Sequence, residues 1–324
     1  MQLARRHLLA VAAAAVASLP RASGAQAYPS RPVRVLVPVS PGGANDTTAR
    51  LFAQKLSEHL GQQFYVENLP GAGGNLAIGN AARAAADGYT LLAGGGNFVI
   101  NPSLYAKIPY DPVKDFTAVS LMCSSPHFLG VHPSVAATTV AEFIALAKAS
   151  PGKFNYASAG RGTPAHLAGE LFKLAFGLDI THVPFSGGGP AITATIGGHT
   201  PVIISALPTG APYAKSGNLR ALAMMSAKRS SLLPDVPTMA EATGMNLEAD
   251  IVTGLLAPTG TPDDVVDLLN RAVADIIAPA EFRERLHALG FDPVASSPGE
   301  FADWIKLEIG KWGKVIREAN IGVQ

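Results

Sequence analysis

One cysteine, Cys123, stands among 324 residues, so the chain makes no internal disulfide and its stability must come from a packed core, which an apolar content of 48% allows. Cys123 follows the apolar run Phe116–Leu121 with no group nearby to activate a thiolate, and it reads as buried packing. No surplus of charge exists either. The chain carries 25 basic and 24 acidic residues, which leaves nothing to argue for nucleic acid or a membrane surface as partner. No apolar run approaches the roughly 20 residues of a membrane span. The motifs of most enzymes are missing. There is no G-x-x-x-x-G-K-[ST], no H-E-x-x-H and no G-x-S-x-G, since Tyr156 stands two residues before Ser158. Gly71-Ala72-Gly73-Gly74 fails as a dinucleotide loop because Leu76 breaks the spacing. His127 and His132 are five apart with no acid or thiol between them, so no metal and no cofactor is called for.

What is present begins with a presequence. Arg5 and Arg6 precede an Ala-rich apolar run from Leu8 to Leu19, and Ala25-Gln26-Ala27 is an A-x-A cleavage signal. Residues 1–27 therefore read as a signal peptide, and the Arg pair fits either general or twin-arginine export. Removing 27 residues leaves 297, enough for two domains. Three arginines and no acid leave with them, and the formal charge falls from +1 to −2.

The mature chain repeats one pattern. A β-rich run, Val33–Val39, meets Pro41-Gly42-Gly43 and then a helical pattern that stops at Gly61. Strands are expected at Phe64–Glu67, Thr90–Ala93, Phe128–Val131, Thr181–Phe185, Val202–Ser205, Leu219–Met225 and Ile251–Leu256. Helices are expected at Asn75–Ala86 and Val140–Ala149, and after SAGRGTPAH through Phe176. Thr261-Pro262 and Ser297-Pro298 each read as a cap with proline at the first helical position. Phe301, Trp304, Ile305, Ile309, Trp312 and Ile316 then recur at helical spacing as a core stripe. Glycine at successive strand-to-helix turns marks a mostly parallel α/β sheet, and the pattern restarts in the second half.

Five turns follow strands: Ser40–Asn45, Gly71–Asn75, Gly94–Asn97, Ser158–Thr163 and Ser186–Gly189. In an open α/β sheet such turns share one edge. Their donors are backbone N–H groups at helix N-termini and small hydroxyls, which suit a carboxylate held without a stoichiometric cation. Asn97 belongs to the candidate site on this ground.

The ordered segments YPSRPVRVLVP, PGGANDTTAR, VENLPGAGGN, DGYTLL, NPSLY, YDPVKDF, PGKFNYASAGRGTPAHLAGELF, THVPFSGGGPA, AKRSSLLPDVPTMAE and GLLAPTGTP span nearly the whole mature chain. Together they resemble the Bug-type extracytoplasmic solute receptors, the substrate-binding components of tripartite tricarboxylate transporters. The resemblance implies a type II periplasmic-binding-protein fold. Two α/β lobes, 28–128 with 253–324 and 129–252, would be joined by two hinge strands near Pro126–Val131 and Asp250–Ala257. It implies a monomer in the periplasm that takes a small carboxylate and passes it to a membrane permease, without entering the membrane after cleavage near Ala27. The family's ligand-facing loops match Ser40, Gly42, Gly43 and Asp46; Gly73, Gly74 and Asn75; Ser158, Gly160, Gly162, Thr163 and His166; and Phe185 with Ser186. Asp46 is better suited to anchor its loop than to face the ligand. Arg161 stands where small or amide residues are common, and either pairs with a second carboxylate or lies in solvent. Ala194 and Pro201 replace frequent acids, which counts against an amino-acid ligand. The alternatives are a receptor recruited to a sensor and an exported hydrolase or lyase. The last lacks a nucleophile, a metal site and an acid–base pair.

Overall fold

The computed structural model describes residues 28–322, so the signal-peptide reading lies outside the described residues. The chain runs β1 (Val33–Val37), α1 (Ala44–Leu60), β2 (Phe64–Asn68), a short 3-10 turn (Ala72–Gly74), α2 (Asn75–Ala82), β3 (Thr90–Gly94), α3 (Gly96–Leu104) and β4 (Phe116–Val131). It continues through α4 (Val140–Ala149), β5 (Asn155–Ser158), α5 (Pro164–Phe176), β6 (Thr181–Pro184), α6 (Gly188–Ile196), β7 (Val202–Ala206), α7 (Leu207–Lys215) and β8 (Arg220–Met225). Then come α8 (Met239–Thr243), β9 (Asp250–Pro258), α9 (Asp263–Ile277), α10 (Ala280–Ala288), β10 (Asp292–Pro293) and α11 (Pro298–Glu318).

The strands form one curled sheet in the order β2-β1-β3-β9-β4-β7-β5-β6, with β8 and β10 also paired to β4. Parallel pairing is confined to the two outer blocks, β2-β1-β3 and β7-β5-β6. Every pair that involves β4 or β9 is antiparallel, which corrects the expected mostly parallel sheet. Strand β4 is the reason. The expected Phe128–Val131 strand is only the end of a 16-residue strand. Its first part pairs with β9 as far as Pro126 opposite Asp250. From His127 onward it pairs with β7 and β8 instead. Two register shifts, at Ala118/Ser120 and Leu121/Cys123, let so long a strand bend between the blocks.

Local chemistry sets most boundaries. Thr139, Thr238 and Ser297 each accept from the N–H three residues on while Glu142, Glu241 and Glu300 reach back, three complete capping boxes. Thr163 caps α5 with Pro164 as its first residue. Thr261 does not cap α9 as its sequence suggests. Its hydroxyl donates to Pro258 O (2.7 Å), and the extended Pro262 precedes the helix. Helix α2 stops at Ala82, short of Ala86, because Ala84 N–H turns back to Ala81 O.

Aromatic and aliphatic side chains fill both faces of the sheet. On one face Phe52, Leu91, Leu269 and Phe291 pack with Cys123, which is completely buried. On the other, Phe98, Phe143, Tyr156 and Phe172 join Phe301, Ile305, Trp312 and Ile316 of α11, while Trp304 and Ile309 are half-buried. Helix α11 packs on α3 and β4 and reaches α5, so it ties the two blocks together. No helix among the described residues is long and apolar enough to cross a membrane.

Candidate functional site

A cavity of about 590 Å³ lies where the carboxyl ends of the strands from both blocks meet. Five helices begin at its wall. They are α1 at Gly43–Asn45, α3 at Gly95–Asn97, α5 at Thr163–Ala165, α6 at Gly188–Gly189 and α7 at Ala206–Thr209. The first turn of a helix leaves N–H groups without intrahelical partners. At α1 the helical bonds start with Thr47 N–H to Gly43 O, and at α6 with Ala191 N–H to Gly187 O. The N–H groups ahead of them are available to a ligand. Each N-terminus also carries a partial positive charge of roughly half a unit. No Lys, Arg, Asp or Glu side chain lines this cavity. Its field is therefore positive through oriented peptides alone, and it suits an anion. Pro208, Ile251, Leu289 and Phe291 are among the apolar residues that line it.

The first loop is held from behind. Asp46 is buried, and its carboxylate accepts from Gly42 N–H (2.9 Å), Asn68 Nδ2 (2.7 Å) and Arg50 Nε (3.1 Å). Burial alone would raise its pKa, but the bonds from Arg50, Gly42 and Asn68 outweigh that and hold it below the usual carboxylate range. Asp46 is thus a loop anchor, and its oxygens are engaged away from the cavity. Gly42 has φ +88°, a left-handed conformation that glycine adopts without strain.

Of the residues the sequence nominated, Gly42, Gly43, Asn97 and Thr163 line the cavity. Ser40, Gly73, Gly74, Asn75, Ser158, Gly160, Arg161, Gly162, His166, Phe185 and Ser186 do not. Several of them build its frame. Asn97 and Asn101 donate to Gly73 O (2.8 and 3.0 Å), and Asn75 Oδ1 accepts from Asn101 and Tyr110. His166 Nδ1 accepts from Gly162 N–H (3.0 Å), and Ser158 Oγ bonds His182 Nε2 (2.7 Å). Burial lowers the pKa of His166 to about 4, so it is neutral at pH 7. Phe185 packs with Ala157, Ile192 and Ile203, and Ser186 is exposed beside it. Arg161 is exposed and lines a separate crevice with Lys173, His182 and Ala319–Gly322.

The structure also adds residues that the sequence reading missed. The Gly71–Asn75 turn is replaced at the cavity by Ser205–Thr209, which has no glycine; its only signal is Pro208, set where a strand meets a helix. His127 lines the cavity and is buried. Its Nδ1 pairs with Ala249 O (2.6 Å), and burial lowers its pKa to about 4. Asn45 lies at the start of α1 with its amide against Thr253 Oγ1 (3.4 Å).

A frame of this kind, with two α/β blocks bridged by β4 and β9 around an anion-suited cavity, is that of a solute-binding receptor. The profile described as "Tripartite tricarboxylate transporter family receptor" matches residues 48–321, and the chain belongs to that family. Protein BugT of Bordetella pertussis is 37% identical over 94% of this chain and 94% of its own length. A Rhodopseudomonas palustris protein solved with adipate is 36% identical, with a TM-score of 0.82 over 92% of this chain and 100% of that one. MatC of Rhodopseudomonas palustris, solved with bound malate, is 34% identical, with a TM-score of 0.77 over 89% of this chain and 100% of that one. The family consists of periplasmic solute-binding proteins, not enzymes, and the expected fold and family both hold.

Proposed function

We propose that this chain captures a small carboxylate in the cavity and delivers it to the membrane permease of a tripartite tricarboxylate transporter. The observation that carries this reading is the convergence of five helix N-termini on a cavity with no charged side chain in its wall. The adipate and malate held by two similar proteins support the same class of ligand. Gly42, Gly43, Asn97 and Thr163 sit at the ligand; Asp46, Gly73, Gly74, Asn75, Ser158 and His166 hold the loops that do. Residues 28–128 with 253–324 and residues 129–252 act as two lobes that hinge where β4 changes partner, between Pro126 and His127. The receptor works as a monomer in the periplasm after cleavage near Ala27.

The test is native mass spectrometry of the purified mature chain, followed by thermal-shift screening of mono-, di- and tricarboxylates. A ligand that binds only the folded state raises the melting temperature, by about 2.7 kcal/mol of stabilisation at a hundredfold excess over Kd. A co-purifying acid and a shift with some members of the panel are expected. No shift with any carboxylate overturns the reading.

A further inference from the structure

Two side chains in the cavity wall offer hydrogen-bond acceptors that no described residue uses. The first is Asn45, whose Oδ1 is buried without a partner. Its Nδ2 donates to Thr253 Oγ1 (3.4 Å), a hydroxyl that also bonds Thr48 Oγ1 (2.8 Å), so the nitrogen faces the two threonines and the oxygen is the unpaired end.

The second is His127. Its Nδ1 sits 2.6 Å from Ala249 O, a group that only accepts, so Nδ1 carries the proton. In the neutral ring Nε2 is then a lone-pair acceptor, and no described residue pairs with it. No carboxylate lines the cavity to stabilise an imidazolium. A carboxylate oxygen cannot satisfy either atom, because acceptor would meet acceptor. A buried polar atom left unpaired forfeits the hydrogen bonds it would make in water. An ammonium group would supply donors, but its charge would enter a wall with no acid and a field already positive from the helix ends.

The geometry points to a ligand that carries an uncharged hydrogen-bond donor, a hydroxyl group, for Asn45 Oδ1 or His127 Nε2 in addition to its carboxylate. The body between the two groups is apolar, because Val39, Ile203, Ile251, Val252, Leu289 and Phe291 contribute much of the remaining wall. The ligand class is thus a hydroxylated aliphatic or aromatic monocarboxylate, and the inference rests on the carboxylate reading above. Asn45 and His127 are specificity residues: they select the hydroxyl, while the helix N-termini hold the acid.

Matched pairs test this by titration calorimetry on the mature chain. The panel is hexanoate against 2-, 3- and 6-hydroxyhexanoate, benzoate against the three hydroxybenzoates, and adipate. At least one hydroxylated acid is expected to bind tenfold or more tightly than its parent, and tighter than adipate. In His127→Phe that advantage, read as the ratio of the two affinities, should shrink at least fivefold. Asn45→Leu gives a second reading if His127→Phe does not fold. Parents that bind as well as every hydroxylated partner overturn the inference and leave the carboxylate reading intact, as does adipate binding tenfold more tightly than all hydroxy acids. Failure of the whole panel to bind overturns both.

Discussion

Asp250 offers the sharpest test of the hinge region's electrostatics. It opens β9 opposite Pro126, the last residue of β4 before that strand changes partner. No described side chain donates a hydrogen bond to its carboxylate. Burial raises its pKa, Glu248 adds to the rise, Lys311 opposes it, and Asp292 and Glu308 add further; the result is about 7 against an ordinary 3.8. Between those two values the folded chain keeps a proton that the unfolded chain has released. Stability must then fall as pH rises from about 4 to about 7 and level off above that. A shift of about three units corresponds to roughly 4 kcal/mol at most. Asp250→Asn mimics the protonated form and removes this slope. The variant should match the parent at pH 4 and exceed it by about 2–4 kcal/mol at pH 8. Urea unfolding followed by the fluorescence of Trp304 and Trp312 measures both curves, and the difference between them cancels the titrating groups not coupled to Asp250. Parallel pH profiles for the two proteins, or a variant less stable at pH 8, would refute the reasoning.

Asp46 behaves in the opposite sense. Its pKa is lowered in the fold, so its contribution is complete above the ordinary value of 3.8 and disappears as pH falls through the folded value. Asp46→Asn should cost about 1.5–3 kcal/mol at pH 7, in the range of a hydrogen bond to a charged group, with the gap closing in acid; a constant gap down to pH 2 contradicts it. A Cβ on Gly96 would lie 2.6 Å from Pro164 Cγ on the facing block, so Gly96→Ala should weaken carboxylate binding at least tenfold by calorimetry, and unchanged affinity would show that this contact is not needed. Arg161→Ala should leave carboxylate affinity within twofold, because Arg161 lies outside the cavity.

The sequence made the outer blocks legible because each of their elements is local. Val140–Ala149 is bounded by a capping box, and the helix through Phe176 by Thr163, Pro164 and Gly177. The centre was legible only through the family resemblance, which put hinge strands near Pro126–Val131 and Asp250–Ala257. Nothing in Phe116–Val131 announces that Pro126 and His127 belong to different pairings, since that depends on partners more than 70 residues away. The same limit applied to the site. Glycine marks where the backbone turns tightly, so it found Gly42, Gly43, the Gly94–Asn97 turn and the Ser186–Gly189 turn. It equally marked Gly73 and Gly74, whose turn braces Asn97 and Asn101 instead. Glycine could not mark Ser205–Thr209, where the helix starts without one, nor His127, which reaches the cavity from the bridging strand.

The distribution of the donors bears on how a receptor of this kind could let its ligand go. Helices α1 and α3 come from the first block and α5, α6 and α7 from the second. A lysine or arginine in the wall would hold a carboxylate through a charge-assisted pair whether or not the blocks stayed together. Here no single group supplies a full charge, and a partial charge at a helix end acts only within its first turn. On the proposed reading, the anion is held well only while both sets of N-termini face it. Separating the blocks by a few ångströms at Pro126 and Asp250 removes one set and admits water to the other. The absence of charge that made the site hard to recognise from its side chains is then what permits hand-over without a chemical step.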